Sequence, residues 1–200
     1  KYNEDEVHIL ALDFDIDLMA KILKERNELV RHQKIEEMKK AIQLSRKEGF
    51  EITDGLVPVE KQPATLTIAL DICANQFNQD LFIKRHRKPL IPEDVFFEYQ
   101  APGKSCAVER SGVTAEWIVE KFKGVARDLI IAHPFVRVSV VTNPLDEMRM
   151  KDLLRIGMTG IEMYHSKTSD EQITLIKKIV QEKGLHYSGG SDFHGREKDP

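Results

Sequence analysis

The sequence predicts an α/β protein with parallel strands and crossover helices. From Lys104 onward, short apolar runs typical of buried strands alternate with longer amphipathic runs typical of helices. Two strands that run in the same direction need a long connection, and a helix is the usual one. Such sheets carry their chemistry at the carboxyl ends of the strands. We therefore expect functional side chains along that edge.

The first part of the chain predicts one strand followed by a long helical stripe. Glu6–Phe14, with the sequence E-V-H-I-L-A-L-D-F, is apolar and contains β-branched residues, as a buried strand does. Apolar residues then recur at helical spacing from Leu18 to Ile42, with Asp17 as the expected N-cap. The pattern allows one helix, or two helices that break near Asn27–Leu29.

The middle of the chain is more polar, and five prolines punctuate the stretch between Phe50 and Gly103. Short helices are expected at Leu66–Gln76 and Pro92–Tyr99. We interpret residues 17–103 as a helical insertion, and residues 1–16 together with 104–200 as the main α/β domain.

The second half supplies the alternating pattern. Strands are expected at Ser105–Val108, Asp128–Ala132, Gly160–Tyr164 and Leu185–Ser188, and helices at Thr114–Lys123, within Asn143–Arg155, and at Ser169–Lys183.

Composition limits the class of protein. With 41% hydrophobic and 32% charged residues and a net charge of −3, the chain is typical of a globular domain and is not generally cationic. The basic run Ile83–Lys88 is interpreted as a solvated surface, with contact to phosphates as the alternative. Two cysteines are too few for a disulfide framework, and no apolar run is long enough to span a bilayer. We expect a cytoplasmic protein without membrane contact.

Side chains that can bind a metal lie at the ends of three predicted strands. At one of them, Glu162 and His165 lie within and just after G-I-E-M-Y. His133 comes directly after D-L-I-I-A, and Pro134 stops that strand, which would hold the histidine at the edge. Asp192 and His194 lie two positions apart in G-G-S-D-F-H-G, so both can face one ion, although an ordinary carboxylate–histidine hydrogen bond gives the same pattern.

Three further residues have open interpretations. His8, inside an apolar strand, is usually a hydrogen-bonded core histidine unless its strand faces the other candidates. Glu162 could bind the metal, support a histidine or form a salt bridge, and we favour support of a histidine. His165 could meet a substrate phosphate, but solvent exposure is the simpler interpretation.

A site of histidine and aspartate suits zinc, manganese or iron. Divalent ions in such sites activate water and neutralise phosphoryl oxygens, so hydrolysis of a phosphate ester is the expected reaction class.

Four motifs in this order, E-V-H-I-L, I-A-H-P, G-I-E-M-Y-H-S and G-G-S-D-F-H-G, resemble the PHP (polymerase and histidinol phosphatase) family of metal-dependent phosphoesterases. The chain is most similar to the branch with a helical insertion, whose members hydrolyse nucleoside 3′,5′-bisphosphates or short RNA from the 5′ end. The resemblance implies a distorted (β/α)7 TIM-like barrel with two or three divalent metal ions. It also implies His8, His133, Asp192 and His194 as metal ligands, and Arg137 suits contact with the substrate phosphate.

One feature of the family is absent from these 200 residues. Members begin with an H-x-H strand that supplies further ligands and opens the barrel, so we expect an incomplete barrel whose first segment is missing or comes from another chain. Two alternatives to a nucleotide phosphoesterase follow. One is a degenerate domain that binds a nucleotide or a partner without catalysis; the other is a histidinol-phosphate-type phosphatase.

Overall fold

A mixed sheet with packed helices forms one of the two units of the chain, and helices form the other. The computed structural model describes residues 6–59, 62–110, 112–137 and 143–193. The first unit comprises Lys1–Glu25 and Val113–Pro200, and the second comprises Arg26–Gly112.

The elements run in the following order. They are β1 (Ile9–Phe14), α1 (Ile16–Lys47), α2 (Ala64–Ala74), α3 (Gln76–His86), α4 (Pro92–Val95), a π-helical turn (Phe96–Gln100), α5 (Ala115–Phe122), β2 (Ala126–Ile131), α6 (Glu147–Ile156), β3 (Gly160–His165), α7 (Asp170–Lys183) and β4 (His186–Gly190).

The sheet has the strand order β1-β2-β3-β4. β2, β3 and β4 are parallel, which confirms the expectation drawn from the alternating pattern. β1 is antiparallel to β2, with Leu10 opposite Ile130, and the pattern did not predict this direction. Four strands are present in the described part of the chain, so the fold is mixed α/β and a full (β/α)7 barrel is not shown.

Ladder bonds continue beyond both ends of the β1–β2 pair. The Ala132 N–H donates to the His8 carbonyl (3.0 Å), and the Asp15 N–H donates to the Val125 carbonyl (2.9 Å). The start of β1 is therefore fixed beside the end of β2.

The core of the first unit lies between the sheet and the helices that connect its parallel strands. Fully buried side chains of the sheet pack in one cluster with those of α6 and α7, and its members include Ile131, Ile161, Met150, Leu153, Ile176 and Ile179. Burial of each such side chain contributes about 1.5–3 kcal/mol. This packing holds β2 and β3 at the centre of the sheet.

The predicted starts of α5 and α7 agree with the structure, whereas α2 begins at Ala64 rather than Leu66 and α3 was not predicted. Ser169 and Gln172 form a capping box at α7, and Thr114 caps α5, as the predicted starts required. α1 is one continuous helix of 32 residues. Its N-cap is Asp15 rather than Asp17, because the Leu18 N–H donates to Asp15 Oδ1 at 2.9 Å.

One predicted strand is wrong. Residues 105 and 106 lie in a turn, and residues 107 and 108 have no regular structure. The Cys106 N–H donates to the Tyr99 carbonyl (2.7 Å), and the Ala107 N–H donates to the Lys104 carbonyl (3.0 Å). Backbone groups used in this local way are not available to a sheet.

The basic run Ile83–Lys88 ends α3 and makes contacts within the second unit. Arg85 donates to the Glu48 carbonyl (2.8 Å), and Lys88 forms an ion pair with Asp94 (2.7 Å). His86 stacks on Phe82. These cations lie near a helix C-terminus, where positive charge is favourable.

Of the helices in the described residues, none combines the length and the apolar character that a bilayer crossing requires.

A buried carboxylate connects the strands at the edge where β2 and β4 begin, which we call the amino edge. Asp128 accepts hydrogen bonds from Arg127 Nε (3.0 Å), Thr159 Oγ1 (3.1 Å) and the His186 ring. Burial opposes ionisation of Asp128, but these hydrogen bonds outweigh it and hold its pKa below the ordinary value.

We expect Asp128→Ala to lower the free energy of unfolding by about 2 kcal/mol, because it leaves several donors without their acceptor. Urea unfolding measures the change. Glu182→Ala, at an exposed position on α7, is the control and should change stability by less than about 0.5 kcal/mol. An equal loss of stability in Asp128→Ala and Glu182→Ala would contradict this role.

Because the pKa of Asp128 is lowered in the folded state, its contribution to the free energy of unfolding is present above about pH 4 and is lost as the pH falls.

Candidate metal centre

Several of the predicted site residues lie where β2, β3 and β4 end and β1 begins, which we call the carboxyl edge. His133 follows β2, His165 ends β3, and Asp192 follows β4. His8 precedes β1, and the antiparallel direction of that strand brings it to the same edge.

Two imidazole rings face each other at this edge. His8 Nδ1 and His133 Nε2 lie 3.1 Å apart, and the rings meet edge to face with centroids 4.9 Å apart. Two nitrogens bound to one Zn²⁺ in tetrahedral geometry lie roughly 3.3 Å apart, so the pair fits a shared divalent ion. Without a metal, the same separation is that of a direct hydrogen bond in which one of the two nitrogens carries the hydrogen. His8 is exposed, so it is not a core histidine.

The backbone of His133 adopts an uncommon conformation. Its φ is 26°, in a region that non-glycine residues rarely occupy. Its N–H donates to Glu162 Oε2 at 2.6 Å, and its carbonyl accepts from the Val136 N–H at 2.9 Å. The Glu162 side chain therefore contacts His133 through the backbone amide and not through the imidazole ring.

Burial lowers the pKa of His133, and the nearby His8 lowers it further. The Asp192 and Glu162 carboxylates oppose this decrease. Asp192 therefore lies close enough to His133 for its negative charge to favour the protonated imidazole. A neutral imidazole is the form that binds a metal, so this environment favours ligation.

His165 is buried, so its interpretation as a solvent-exposed residue is not supported. Its Nδ1 accepts from the Lys167 N–H at 3.2 Å, and its ring centroid lies 5.7 Å from that of His133. In the neutral ring the proton therefore lies on Nε2, which makes that atom a donor. Nε2 is buried and has no hydrogen-bond partner among the described residues.

Other buried polar atoms in this part of the first unit have no protein partner in the described residues. They are His133 Nδ1, Thr168 Oγ1 and Ser188 Oγ. Ser188 pairs with Glu162 across the β3–β4 ladder. No sequence motif pointed to Ser188 beyond its place in the last predicted strand. Unpaired buried polar atoms are costly, and they concentrate where a ligand can complete their hydrogen bonds.

The remaining predicted residues are not all brought together. Asp192 is exposed and has a φ of 57°. Arg137 is exposed. His194 lies outside the described residues.

The ligand set is incomplete in the part of the chain that the structure describes. No three His, Cys, Asp or Glu side chains there form a group that could hold a metal ion. The His8–His133 pair supplies two nitrogens that lie 3.1 Å apart.

The fold and this edge together define an α/β protein of the kind that carries polar sites at strand ends. Solved structures share the fold. A candidate metal-dependent phosphoesterase from Bifidobacterium adolescentis superposes with a TM-score of 0.52 and 18% identity, over 96% of this chain and 64% of its own. An amidohydrolase from Chromobacterium violaceum, with bound sulfate and no metal, superposes with a TM-score of 0.52 and 22% identity, over 100% of this chain and 66% of its own.

Because the sequence identities to both structures are low, the similarity concerns the fold alone. This chain spans slightly less than two thirds of both structures. No protein-family model and no curated protein matches the sequence.

In the metal-free protein, we expect His133 to titrate below its ordinary pKa, because burial and His8 both disfavour its protonated form. His8→Ala should raise the pKa of His133 by removing the neighbouring imidazole. Histidine ring signals followed by NMR across a pH titration measure both values. A pKa of His133 that is unchanged in His8→Ala would contradict the electrostatic coupling of the two rings.

Proposed function

We propose that this chain is a metal-dependent phosphoric ester hydrolase that acts at the carboxyl edge. The observation that supports the proposal most is the approach of His8 Nδ1 to His133 Nε2 at 3.1 Å beside buried polar atoms without protein partners. The fold shared with a candidate metal-dependent phosphoesterase agrees with it. The sulfate in the second neighbour is an anion of phosphate-like shape, bound by that protein.

The proposed roles follow from the chemistry of each side chain. His8, His133 and Asp192 would hold a divalent ion of manganese, zinc or iron, together with His194. Such an ion lowers the pKa of water and neutralises phosphoryl oxygens when it is bound. Two or three ions would require further ligands.

The phosphate group would be oriented by the protein itself. The His165 Nε2–H is a buried donor without a protein partner in the described residues, and it suits an anionic phosphate oxygen. Arg137 would add a guanidinium contact if its segment approaches the edge.

We propose a nucleotide or short oligonucleotide as the substrate, with a nucleoside 3′,5′-bisphosphate as the first compound to test. The four sequence motifs support this choice. Histidinol phosphate is the second compound, because the same motifs resemble phosphatases of that type.

We propose that additional residues complete the site. Both solved structures extend well beyond the part that aligns with these 200 residues. Residues equivalent to that unaligned part, from the same or another polypeptide, would provide the ligands that the described residues do not bring together.

A second candidate is a binding module without catalysis. The incomplete ligand group among the described residues favours it. The two candidates differ in one result, because the module would bind nucleotide without releasing phosphate.

We expect the protein that contains these 200 residues together with the residues that complete its site to bind manganese, zinc or iron and to release phosphate from a nucleoside bisphosphate. His133→Ala should lower phosphate release by about 100-fold or more, since it removes a proposed ligand and a buried ring. Elemental analysis and a phosphate assay measure both effects.

His32→Ala is the matched control, because His32 is an exposed histidine on α1. It should leave metal content and rate unchanged. Normal phosphate release by His133→Ala would remove His133 from the site, and nucleotide binding without any phosphate release would favour the binding module.

A further inference from the structure

The Glu162 carboxylate lies between the ends of β2 and β4, the two strands that flank β3 in the sheet. Glu162 is 4% exposed and belongs to β3, and its Oε2 accepts the His133 N–H at 2.6 Å just after β2. A hydrogen bond from a backbone amide to an ionised carboxylate is stronger than one to a neutral acceptor. The end of β2 is therefore tied to β3 by a side chain as well as by the ladder.

On its other side the same carboxylate meets the end of β4. A Cβ atom placed on Gly190 would lie 2.7 Å from Glu162 Oε1. Real Cβ atoms do not approach an oxygen so closely, so any side chain at Gly190 would displace the carboxylate. The absence of a side chain at this position leaves the space that Glu162 occupies.

The orientation of His133 depends on this arrangement. Its φ of 26° is unfavourable for a residue with a side chain, so surrounding contacts must hold it. The bond to Glu162 acts on the amide that φ rotates, and the ring of His133 projects from the adjacent Cα. A change in φ would move His133 Nε2 away from His8 Nδ1.

We propose that Glu162 is a positioning residue, which fixes the backbone of His133 so that its imidazole faces His8, and that Gly190 provides the space this carboxylate needs. The inference rests on the proposed function for its consequence, metal binding, but the positioning can be tested without metal. Glu162 then supports the site without touching the ion.

The first experiment uses the metal-free chain and NMR. In the wild type, the His133 amide proton should be shifted downfield and exchange slowly with solvent, because it is bound to a buried carboxylate. Glu162→Ala should remove both properties and change the ring signals of His8 and His133. Glu162→Gln should largely restore them, since the amide oxygen of glutamine can accept the same bond. A His133 amide that is unchanged in Glu162→Ala would overturn the proposal.

The second experiment measures Co²⁺ affinity by its visible absorption. Glu162→Ala should weaken Co²⁺ binding by about 10- to 100-fold, the range typical of groups that orient ligands. Glu162→Gln should stay within about threefold of the wild type. An equal loss in both variants would make the carboxylate a direct ligand and overturn the positioning role.

Gly190→Ala tests the space around the carboxylate. The methyl group should displace Glu162 and weaken Co²⁺ binding as Glu162→Ala does, and the double variant should be no weaker than Glu162→Ala alone. Additive losses would show that the two residues act independently and would contradict the proposal.

Asp128→Asn is the matched control, because it changes an equally buried carboxylate at the amino edge. It should leave the His133 amide signal and Co²⁺ affinity unchanged. If the wild type binds no Co²⁺ and releases no phosphate, the proposed function fails, whereas the NMR experiment still decides whether Glu162 positions His133.

Discussion

The antiparallel pairing of β1 with β2 is the constraint on which the candidate site depends. His8 stands just before β1, so only an antiparallel strand brings it to the end of β2, where His133 lies. A parallel β1 would have placed His8 at the opposite edge, near Asp128. Strand direction is the same along a whole ladder, so the backbone hydrogen bonds between β1 and β2 place both histidines at one edge of the sheet. There, His8 Nδ1 and His133 Nε2 lie 3.1 Å apart.

The two edges of the sheet use buried polar groups differently. At the amino edge, Asp128 receives hydrogen bonds from three side chains, which satisfies its carboxylate within the protein. At the carboxyl edge, His133 Nδ1 and His165 Nε2 are buried without protein partners in the described residues. Since unpaired buried groups destabilise a fold, the second arrangement is typical of a functional site and the first of a structural one.

The structure brings together only some of the residues proposed to bind a metal. His8 and His133 meet, Asp192 acts on the charge of His133, and Glu162 holds its backbone. The described residues do not assemble three ligands. About one third of each solved structure with this fold lies outside the part that these 200 residues match, so the proposed activity and its substrate concern a larger assembly of ligands.

Local patterns in the sequence determined much of the fold. The alternation of strand-like and helix-like runs predicted the parallel strands and α7, and it placed candidate residues at the carboxyl ends of those strands. They did not predict α3, which begins directly after α2 with Asn75 as the shared cap, or exclude a strand at 105–108, where the backbone bonds to Tyr99 and Lys104.

Tertiary structure alone decided how the site is arranged. It set the direction of β1, buried His165, and directed Glu162 to the backbone of His133. Each of these depends on contacts between residues far apart in the chain, and a local pattern carries no information about which distant backbone group a side chain will meet.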